Sequence, residues 1–473
     1  MGSTSQASQR ISALLDENSF VEIGALVTAR NTDFNLGETK TPSDAVVTGY
    51  GVIDGNLVYV YSQDASVLGG SVGEMHSKKI SHLYDLALKT GSPVIGLIDS
   101  AGMRLQEATD ALNAFGEIYM KQADASGVVP QITAVFGSCG GGLALIPAMT
   151  DFTFMEASKA KVFVSAPNTI DGNYKEKCDT SCGDFQASKT GIIDAVVSED
   201  DIYSQIRELV SMLPSNNEDD DSYDECNDDL NRVCENLDGF MGDSAAMLSQ
   251  IADNGAFFET KRDFAKEMTT GFLKLNGATV GAIANRSTVL GEDGKAVESF
   301  DTVLTADGCQ KAADFVKFCD AFSISVLSLT NVTGFAATKC SERRIARNAA
   351  ALTYAFANAT VPKVNVITGK AFGSAYVVMN SKAIGADITI SWPSAEIGAM
   401  EASMAAKIIA GDKDASETAE QYSKLQNNVN SAASRGYVDE IVEPADTRKY
   451  VIGAFEMLFT KREDRPAKKH GTV

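Results

Sequence analysis

One pattern of glycine and proline occurs twice in this 473-residue chain, at a constant spacing of 232 residues. The repeat relates Gly102 to Gly334, Pro130 to Pro362 and Gly141 to Gly373. Because three separate landmarks keep one spacing, the sequence indicates an internal duplication. Each copy places glycine-rich turns after apolar strands, where backbone N–H groups are open to a small anionic group. Function is therefore predicted to reside in two related backbone pockets.

The two copies are separated by a strongly acidic segment. The run SNNEDDDSYDECNDD carries eight carboxylates and almost no apolar residue. Such a run cannot bury enough surface to pack, so it predicts a solvated linker or exposed loop over residues 215–231. The predicted domains are residues 1–214 and 232–473. A cation-binding role for this run is the alternative.

Hydrophobic periodicity predicts the same order of elements in both halves: a β-hairpin, a helix, a buried strand, a long helix and a second buried strand. The strands PVIGLID and QITAVFG of the first half correspond to SISVLSLT and KVNVITG of the second. This order is typical of an α/β fold. In such folds parallel strands are joined by right-handed crossovers, and ligands bind beyond the carboxyl ends of the strands.

Composition excludes several classes of protein. A net charge of −22 and a pI near 4.6 argue against nucleic acid or anionic lipid as a partner. No apolar run approaches the ~20 residues of a membrane span, and the first ten residues lack the apolar core of a secretory signal. The chain is predicted to be cytoplasmic, and association with the periphery of a membrane complex stays open.

The eight cysteines are scattered along a chain without an export signal, which predicts reduced thiols. Cys178 and Cys182 have a spacing compatible with zinc. No second pair of cysteines or histidines lies nearby to complete four ligands, so no metal site is predicted.

The turn GSCGGG of the first half is the strongest candidate site. It follows a strand and precedes a predicted helix, whose first N–H groups have no partner within the helix and whose dipole favours negative charge. Gly141 and Gly142 expose the main chain there, and Gly102 or Met103 would supply another donor. This pattern predicts an oxyanion hole. The alternative is that the glycines only allow the helix to pack closely on the sheet.

Side-chain catalysts are sparse. The histidines are His76, His82 and His470, and the sequence contains no G-x-S-x-G elbow, Walker loop or zinc-protease motif. An enzyme with this inventory is expected to stabilise an oxyanion and to obtain its base elsewhere. A crotonase-type hydratase or thioesterase would instead need a positioned carboxylate, for which Glu107 and Glu156 lie near in sequence.

Long motifs carry a family resemblance at this point. They are SQDASVLGGSVGEMHSKKI, DSAGMRLQE and SGVVPQITAVFGSCGGG in the first half, with ATVPKVNVITGKAFGSAYVVMNSK and GADITISWPSAEIGAM in the second. The chain resembles the carboxyltransferase subunit of biotin-dependent acyl-CoA carboxylases and decarboxylases, of the propionyl-CoA carboxylase beta and methylmalonyl-CoA decarboxylase alpha type. The resemblance implies two tandem crotonase-like (ClpP/crotonase) domains related by internal duplication, assembled as a trimer of dimers.

The resemblance also implies the chemistry: a carboxyl group moves between biotin on a separate carrier protein and a short acyl-CoA, in either direction. The N-terminal domain would bind acyl-CoA, with Gly102 or Met103 and Gly141 and Gly142 holding the thioester enolate oxygen. The C-terminal domain would bind biotin, and its donors to the ureido oxygen would be Phe335 or Ala336 with Gly373 and Ser374. The first pocket would face the second pocket of a partner subunit.

Further residues are matched by resemblance alone. Lys78, Lys79 and Arg104 are the candidates for contacts to CoA phosphates, and Val377 occupies an acyl-pocket position that is often Asp. Met103 and Ala337 depart from the family pattern, which leaves a non-catalytic acyl-CoA-binding subunit as an alternative. The chain lacks a biotinylation motif and an ATP-grasp segment. A biotin carrier protein, with a biotin carboxylase or a membrane decarboxylase subunit, is therefore expected on other chains.

Overall fold

The computed structural model describes residues 5–31, 39–218, 225–291, 293–411, 414–468 and 470–471. The chain forms two compact units, Met1–Ser222 and Tyr223–Val473, called here the first and second unit. No helix within the described ranges combines the length and apolarity needed to cross a bilayer.

Residues 219–224 of the acidic segment lie outside the described residues. Residues on either side of these make polar contacts within their own units, although most of residues 225–231 are exposed. The Asn216 side chain donates to the Gly91 carbonyl at 2.9 Å in the first unit. Asp228 lies 3.0 Å from Arg232 and 3.4 Å from Arg448 in the second unit. Charge pairing with arginine therefore holds Asp228 in place, and the acidic linker or loop over residues 215–231 stays a prediction.

The first unit contains eight strands and seven α-helices among its described residues. The strands are β1 (Val21–Ile23), β2 (Val46–Ile53), β3 (Asn56–Gln63), β4 (Val94–Ser100), β5 (Gln131–Gly140), β6 (Phe152–Glu156), β7 (Lys161–Phe163) and β8 (Ala195–Val197). The helices are α1 (Gln6–Leu14), α2 (Glu74–Thr90), α3 (Thr109–Ala125), α4 (Leu145–Met149), α5 (Asn173–Glu176), α6 (Gly183–Phe185) and α7 (Glu199–Met212).

The second unit contains the remaining elements. Its strands are β9 (Phe257–Thr260), β10 (Met268–Leu275), β11 (Ala278–Asn285), β12 (Thr288–Leu290), β13 (Ala296–Ser299), β14 (Val303–Leu304), β15 (Ser325–Val332), β16 (Gly334–Phe335), β17 (Lys363–Phe372), β18 (Ile388–Ser391), β19 (Glu396–Gly398) and β20 (Glu440–Ile441). Its helices are α8 (Ser244–Ile251), α9 (Ala306–Ala321), α10 (Lys339–Glu342), α11 (Ile345–Asn358), α12 (Gly373–Val378), α13 (Ala402–Ile409), α14 (Ala415–Tyr422), α15 (Val429–Ser434) and α16 (Thr447–Leu458).

The two main sheets have the same topology. The first has the order β1-β2-β3-β4-β5-β6-β8, with β7 paired to β5. The second has the order β9-β10-β11-β15-β17-β18-β20, with β19 paired to β17. In each, an antiparallel hairpin (β2–β3 or β10–β11) leads into parallel strands. The predicted α/β fold, internal duplication and element order are confirmed.

The local sequence explains these elements. Strand β4 is apolar over most of its length and almost fully buried, as expected for a parallel strand covered on both faces. Helix α2 ends at Gly91, which adopts a left-handed conformation at φ 63° and caps the helix. Each unit packs its own apolar core: Tyr61 and Ile98 belong to the first, and Leu327 and Trp392 to the second.

Polar contacts repeat along with the strands. The N–H of Asp99 donates to the Gln63 side chain at 3.2 Å in the first unit. The N–H of Asn331 donates to the Asn285 side chain at 3.0 Å at the matching position of the second. The duplication therefore extends to the side chains that hold the carboxyl ends of β4 and β15.

Each unit also buries one lysine of its first long sheet-covering helix. The ammonium group of Lys79 on α2 donates to the Ser43 carbonyl at 3.0 Å. Lys311 on α9 donates to the carbonyls of Lys261 and Phe264 at 2.9 and 2.8 Å. Desolvation lowers the pKa of Lys79 to about 8 and that of Lys311 to about 7. The same residue type at one repeat position thus performs the same structural task twice.

We expect Lys311 to make stability pH-dependent. Its folded-state pKa lies below the unfolded value of 10.5, so the unfolded chain binds more protons between about pH 7 and pH 10.5, and stability rises with pH in that window. The free energy of unfolding of wild type minus that of Lys311→Met, measured by urea denaturation, should therefore rise from pH 7 to pH 10, by up to about 1.4 kcal/mol per pH unit. Lys317→Met, on the exposed face of the same helix, is the control. A difference that stays constant over this range would contradict the prediction.

Candidate active site

The first glycine turn connects β5 to α4. Strand β5 ends at Gly140, and Gly141 starts a helical turn that runs into α4. Gly141 adopts φ +63°, and a β-carbon there would meet open space. The first N–H groups of the turn have no partner within the helix. The backbone is therefore accessible at the position where the sequence predicts an anion site.

The turn after β4 lies beside it. A β-carbon on Gly102, at φ +97°, would lie 3.6 Å from the Gly140 carbonyl oxygen. The N–H of Gly102 donates to the Ser100 hydroxyl at 3.1 Å, so it is occupied. A parallel bridge to Val72 leaves the N–H of Met103 on the opposite side, where no described residue accepts it. Met103 is thus the open donor of the Gly102/Met103 pair.

The second unit repeats this arrangement. Gly373 adopts φ +62° at the start of α12, directly after β17. Phe335 pairs with Leu304 as Met103 pairs with Val72, so its N–H points away from that neighbour. The N–H of Ala336 donates to the Leu304 carbonyl at 2.9 Å. Ala336 is therefore not available as the predicted oxyanion donor, whereas Phe335 occupies the position equivalent to Met103.

Two side chains of the second unit complete the predicted set. Ser374 is exposed at the first turn of α12, one residue after Gly373. Val377 is partly buried on the same helix, and its carbonyl accepts from the Ser381 hydroxyl at 2.9 Å. The structure brings Ser374 close to the glycine turn, and Val377 lies one helical turn further on.

A buried ion cluster lies behind the first turn. Arg104 is enclosed and donates to Asp44 at 2.6 Å, to Glu107 at 2.8 Å and to the Ser71 carbonyl at 2.7 Å. Arg104, Asp44 and Glu107 have side chains that are 0% exposed. Burial raises the pKa of Asp44, and the Arg104 guanidinium opposes that effect. The prediction that Arg104 contacts CoA phosphates is wrong, because its donors are already used inside the unit.

Lys79 is also corrected as a CoA ligand. Its ammonium group is buried and bound to Ser43 and to the Val46 carbonyl. Lys78, the next residue, is half-exposed and pairs with Glu74 one turn earlier on α2. Of the three cations matched by the motifs, only Lys78 presents its charge to solvent.

The candidate side-chain bases have structural roles. The His76 ring donates from Nδ1 to the Asp44 carbonyl at 3.0 Å and accepts from Gln63 at 3.2 Å. Desolvation lowers the pKa of His76 well below its usual value, so the buried ring is neutral. Glu107 is held by Arg104 and by the Glu74 N–H, and Glu156 binds N–H groups of its own loop. Neither carboxylate is positioned for a hydratase mechanism.

Sequence reasoning missed Asp44, the residue that makes the cluster possible. It accepts from Arg104, 60 residues later in the chain, and from the N–H of His76. Asp44 itself lies at φ 47°, in a left-handed conformation that Asp adopts more readily than most residues. Only this weak turn signal was present in the sequence.

Comparisons with known proteins agree with this architecture. Residues 4–473 match the family described as Carboxyl transferase domain. The propionyl-CoA carboxylase beta chain of Roseobacter denitrificans is 41% identical, covering 99% of this chain and 93% of that protein. The methylmalonyl-CoA decarboxylase subunit alpha of Propionigenium modestum is 40% identical, covering 99% and 92%.

The fold is shared with a solved structure of transcarboxylase 12S, a hexamer with hydrolysed methylmalonyl-coenzyme A bound. The TM-score is 0.91 at 37% identity, covering 99% of this chain and 92% of that one. The tandem crotonase-like fold predicted from the motifs is thus confirmed. Together with the family match, this fold places the protein in the class of carboxyltransferases. The chain belongs to the carboxyltransferase family of biotin-dependent acyl-CoA carboxylases and decarboxylases.

Proposed function

We propose that this chain transfers a carboxyl group between carrier-bound biotin and a short-chain acyl-CoA of the propionyl/methylmalonyl class. The observation that carries the proposal is the repeated backbone geometry. Met103 and Phe335 present equivalent N–H groups, and Gly141 and Gly373 begin equivalent helical turns at φ +63° and +62°. Two oxyanion sites suit a reaction in which two carbonyl oxygens gain negative charge.

The first unit is proposed to bind the acyl-CoA thioester. Its oxygen would accept from the N–H of Met103 and from the N–H groups of Gly141 and Gly142. The hydrogen bonds from these donors become stronger as negative charge develops on the oxygen of the forming enolate. This lowers the barrier to breaking the bond between the α-carbon and its proton or carboxyl group. Lys78 remains the candidate for a CoA phosphate, since its charge reaches solvent.

The second unit is proposed to bind biotin. The proposed donors to the ureido oxygen are the backbone N–H groups of Phe335, Gly373 and Ser374, and the φ of +62° at residue 373 favours glycine there. Carrier-bound biotin supplies the carboxyl group, and the chain's part is to orient its ureido oxygen and favour negative charge there. Val377, on the helix that Gly373 begins, is proposed as a wall of the acyl pocket, which would then be apolar.

Partners are proposed on the same basis. The chain would work with a biotin carrier protein, and with a biotin carboxylase or a membrane decarboxylase subunit. A trimer of dimers is proposed for the chain itself, in keeping with the hexamer of its structural relative. Apolar side chains on α13, at Met404, Ile408 and Ile409, are 57%, 71% and 57% exposed, which favours burial against another subunit.

The function is tested by incubating the purified chain with radiolabelled methylmalonyl-CoA and a biotinylated carrier protein. We expect label to move to the carrier only when both the CoA ester and biotin are present. An unbiotinylated carrier and free methylmalonate are the controls. Binding of the CoA ester without transfer would instead identify a non-catalytic subunit, and hydrolysis or hydration of an acyl-CoA would identify a different crotonase-type activity.

A further inference from the structure

Tyr119 connects a long helix of the first unit to the glycine turn. Its hydroxyl, on α3, donates to the Gly142 carbonyl at 2.5 Å. We propose that Tyr119 is a positioning residue for the thioester site. By holding the Gly142 carbonyl it restrains the conformation of the whole turn, and thereby keeps the N–H groups of Gly141 and Gly142 pointing toward the bound oxygen. This inference rests on the proposed function and adds a side chain to a site otherwise built from backbone.

The helix that carries Tyr119 is firmly held. The Tyr119 ring packs against Phe115, one turn earlier, with ring centroids 6.1 Å apart. Gln122, three residues later and on the same helix face, donates to the Ile146 carbonyl at 3.2 Å. Helix α3 therefore makes two contacts with this region. It binds the glycine turn through Tyr119 and helix α4 through Gln122.

Tyr119 also explains why residue 142 is glycine. Unlike Gly141, Gly142 has a backbone conformation that other residues adopt, so its φ does not require glycine. A β-carbon at Gly142 would lie 3.0 Å from the Tyr119 hydroxyl oxygen, a contact tighter than side chains normally make. The matching residue of the second unit is Ser374, which does carry a side chain. The contact with Tyr119 thus distinguishes the first turn from the second.

The tyrosine keeps its proton under ordinary conditions. Burial raises the pKa of Tyr119, and the neighbouring Cys139 thiol adds a smaller effect in the same direction. The hydroxyl is therefore a stable donor to the Gly142 carbonyl, which also accepts from the N–H of Leu145. A carbonyl with two donors has little freedom to rotate, and oxyanion donors are effective when they are held in place before the reaction.

The first test measures the backbone directly. In the full-length Tyr119→Phe variant, hydrogen–deuterium exchange followed by mass spectrometry should be faster in peptides covering residues 138–146. Tyr203→Phe removes a comparable hydroxyl bond, from Tyr203 to Glu199 at 2.7 Å, and is the matched control. It should leave exchange at 138–146 unchanged. Equal exchange in wild type and Tyr119→Phe would overturn the proposal, whether or not the chain proves to be a carboxyltransferase.

The second test uses activity. Loss of one positioning hydrogen bond should lower kcat for carboxyl transfer about tenfold, with the KM values for acyl-CoA and carrier changed less than about twofold. Gly142→Ala should also lose activity, and Tyr119→Phe/Gly142→Ala should recover part of it, because the new methyl group no longer meets the hydroxyl. Independent, multiplicative losses in the double variant would contradict the inference. Absence of transfer by wild type would reject the proposed function alone, and the exchange measurement would still decide the role of Tyr119.

Discussion

Replacement of Gly141 by alanine is expected to lower kcat for carboxyl transfer by about 100-fold to 1,000-fold, the loss typical of a damaged oxyanion hole. Gly141 lies at φ +63°, where a side chain costs about 1–2 kcal/mol, so the turn should shift toward a more relaxed conformation. A shifted turn would aim its N–H groups away from the oxygen. The measurement is kcat and KM with methylmalonyl-CoA and a biotinylated carrier.

Gly55→Ala is the matched control for this variant. Gly55 lies in the turn between β2 and β3 at φ +85°, and a β-carbon there also meets open space. Its backbone strain is similar, but it is not part of a predicted site. Both variants should therefore lose comparable stability, while only Gly141→Ala loses activity. If Gly141→Ala keeps more than half of the wild-type kcat, the oxyanion assignment of this turn is wrong.

Replacement of Arg104 by methionine is expected to reduce the free energy of unfolding by about 3–5 kcal/mol. The change leaves the buried carboxylates of Asp44 and Glu107 without their cation and removes donors from Ser71. The loss should appear as a lower melting temperature and a lower urea midpoint. Arg104→Met/Glu107→Gln should recover part of it, because one uncompensated carboxylate is then removed.

Arg262→Met is the control for Arg104. Arg262 is half-exposed, and its contact with Asp263 is 3.7 Å long, so its replacement should change stability by less than about 1 kcal/mol. The alternative role of Arg104 makes the opposite prediction. If Arg104 were a CoA ligand, Arg104→Met would weaken acyl-CoA binding with a nearly unchanged melting temperature.

The stretches that sequence predicted well share a physical cause. The hairpin, helix and strand order follows from apolar periodicity, which is a local property and is repeated after 232 residues. Gly141 and Gly373 were predicted as the open turns because glycine is the residue that tolerates positive φ at low cost. In both units the structure places these glycines at the start of a helix directly after a buried strand.

The distribution of cations and of backbone donors was decided by the tertiary structure. The motifs match Lys78, Lys79 and Arg104 alike, yet only Lys78 reaches solvent. Partners from residues 43–46 bind the other two in the interior of the unit. The choice of Met103 over Gly102 depends on a hydroxyl and a distant bridge. Whether an N–H is free depends on which distant group comes within hydrogen-bonding range, and periodicity carries no information about that.

The sequence by itself thus determined the duplicated α/β fold, the location of the two glycine turns and the family. The tertiary structure decided which N–H groups in those turns stay open, which cations are structural, and that Tyr119 contacts the first turn. The physical reason is the range of the interactions. Backbone preferences and amphipathic patterns act over a few residues, whereas hydrogen-bond partners and desolvation are set by chain segments that meet only after folding.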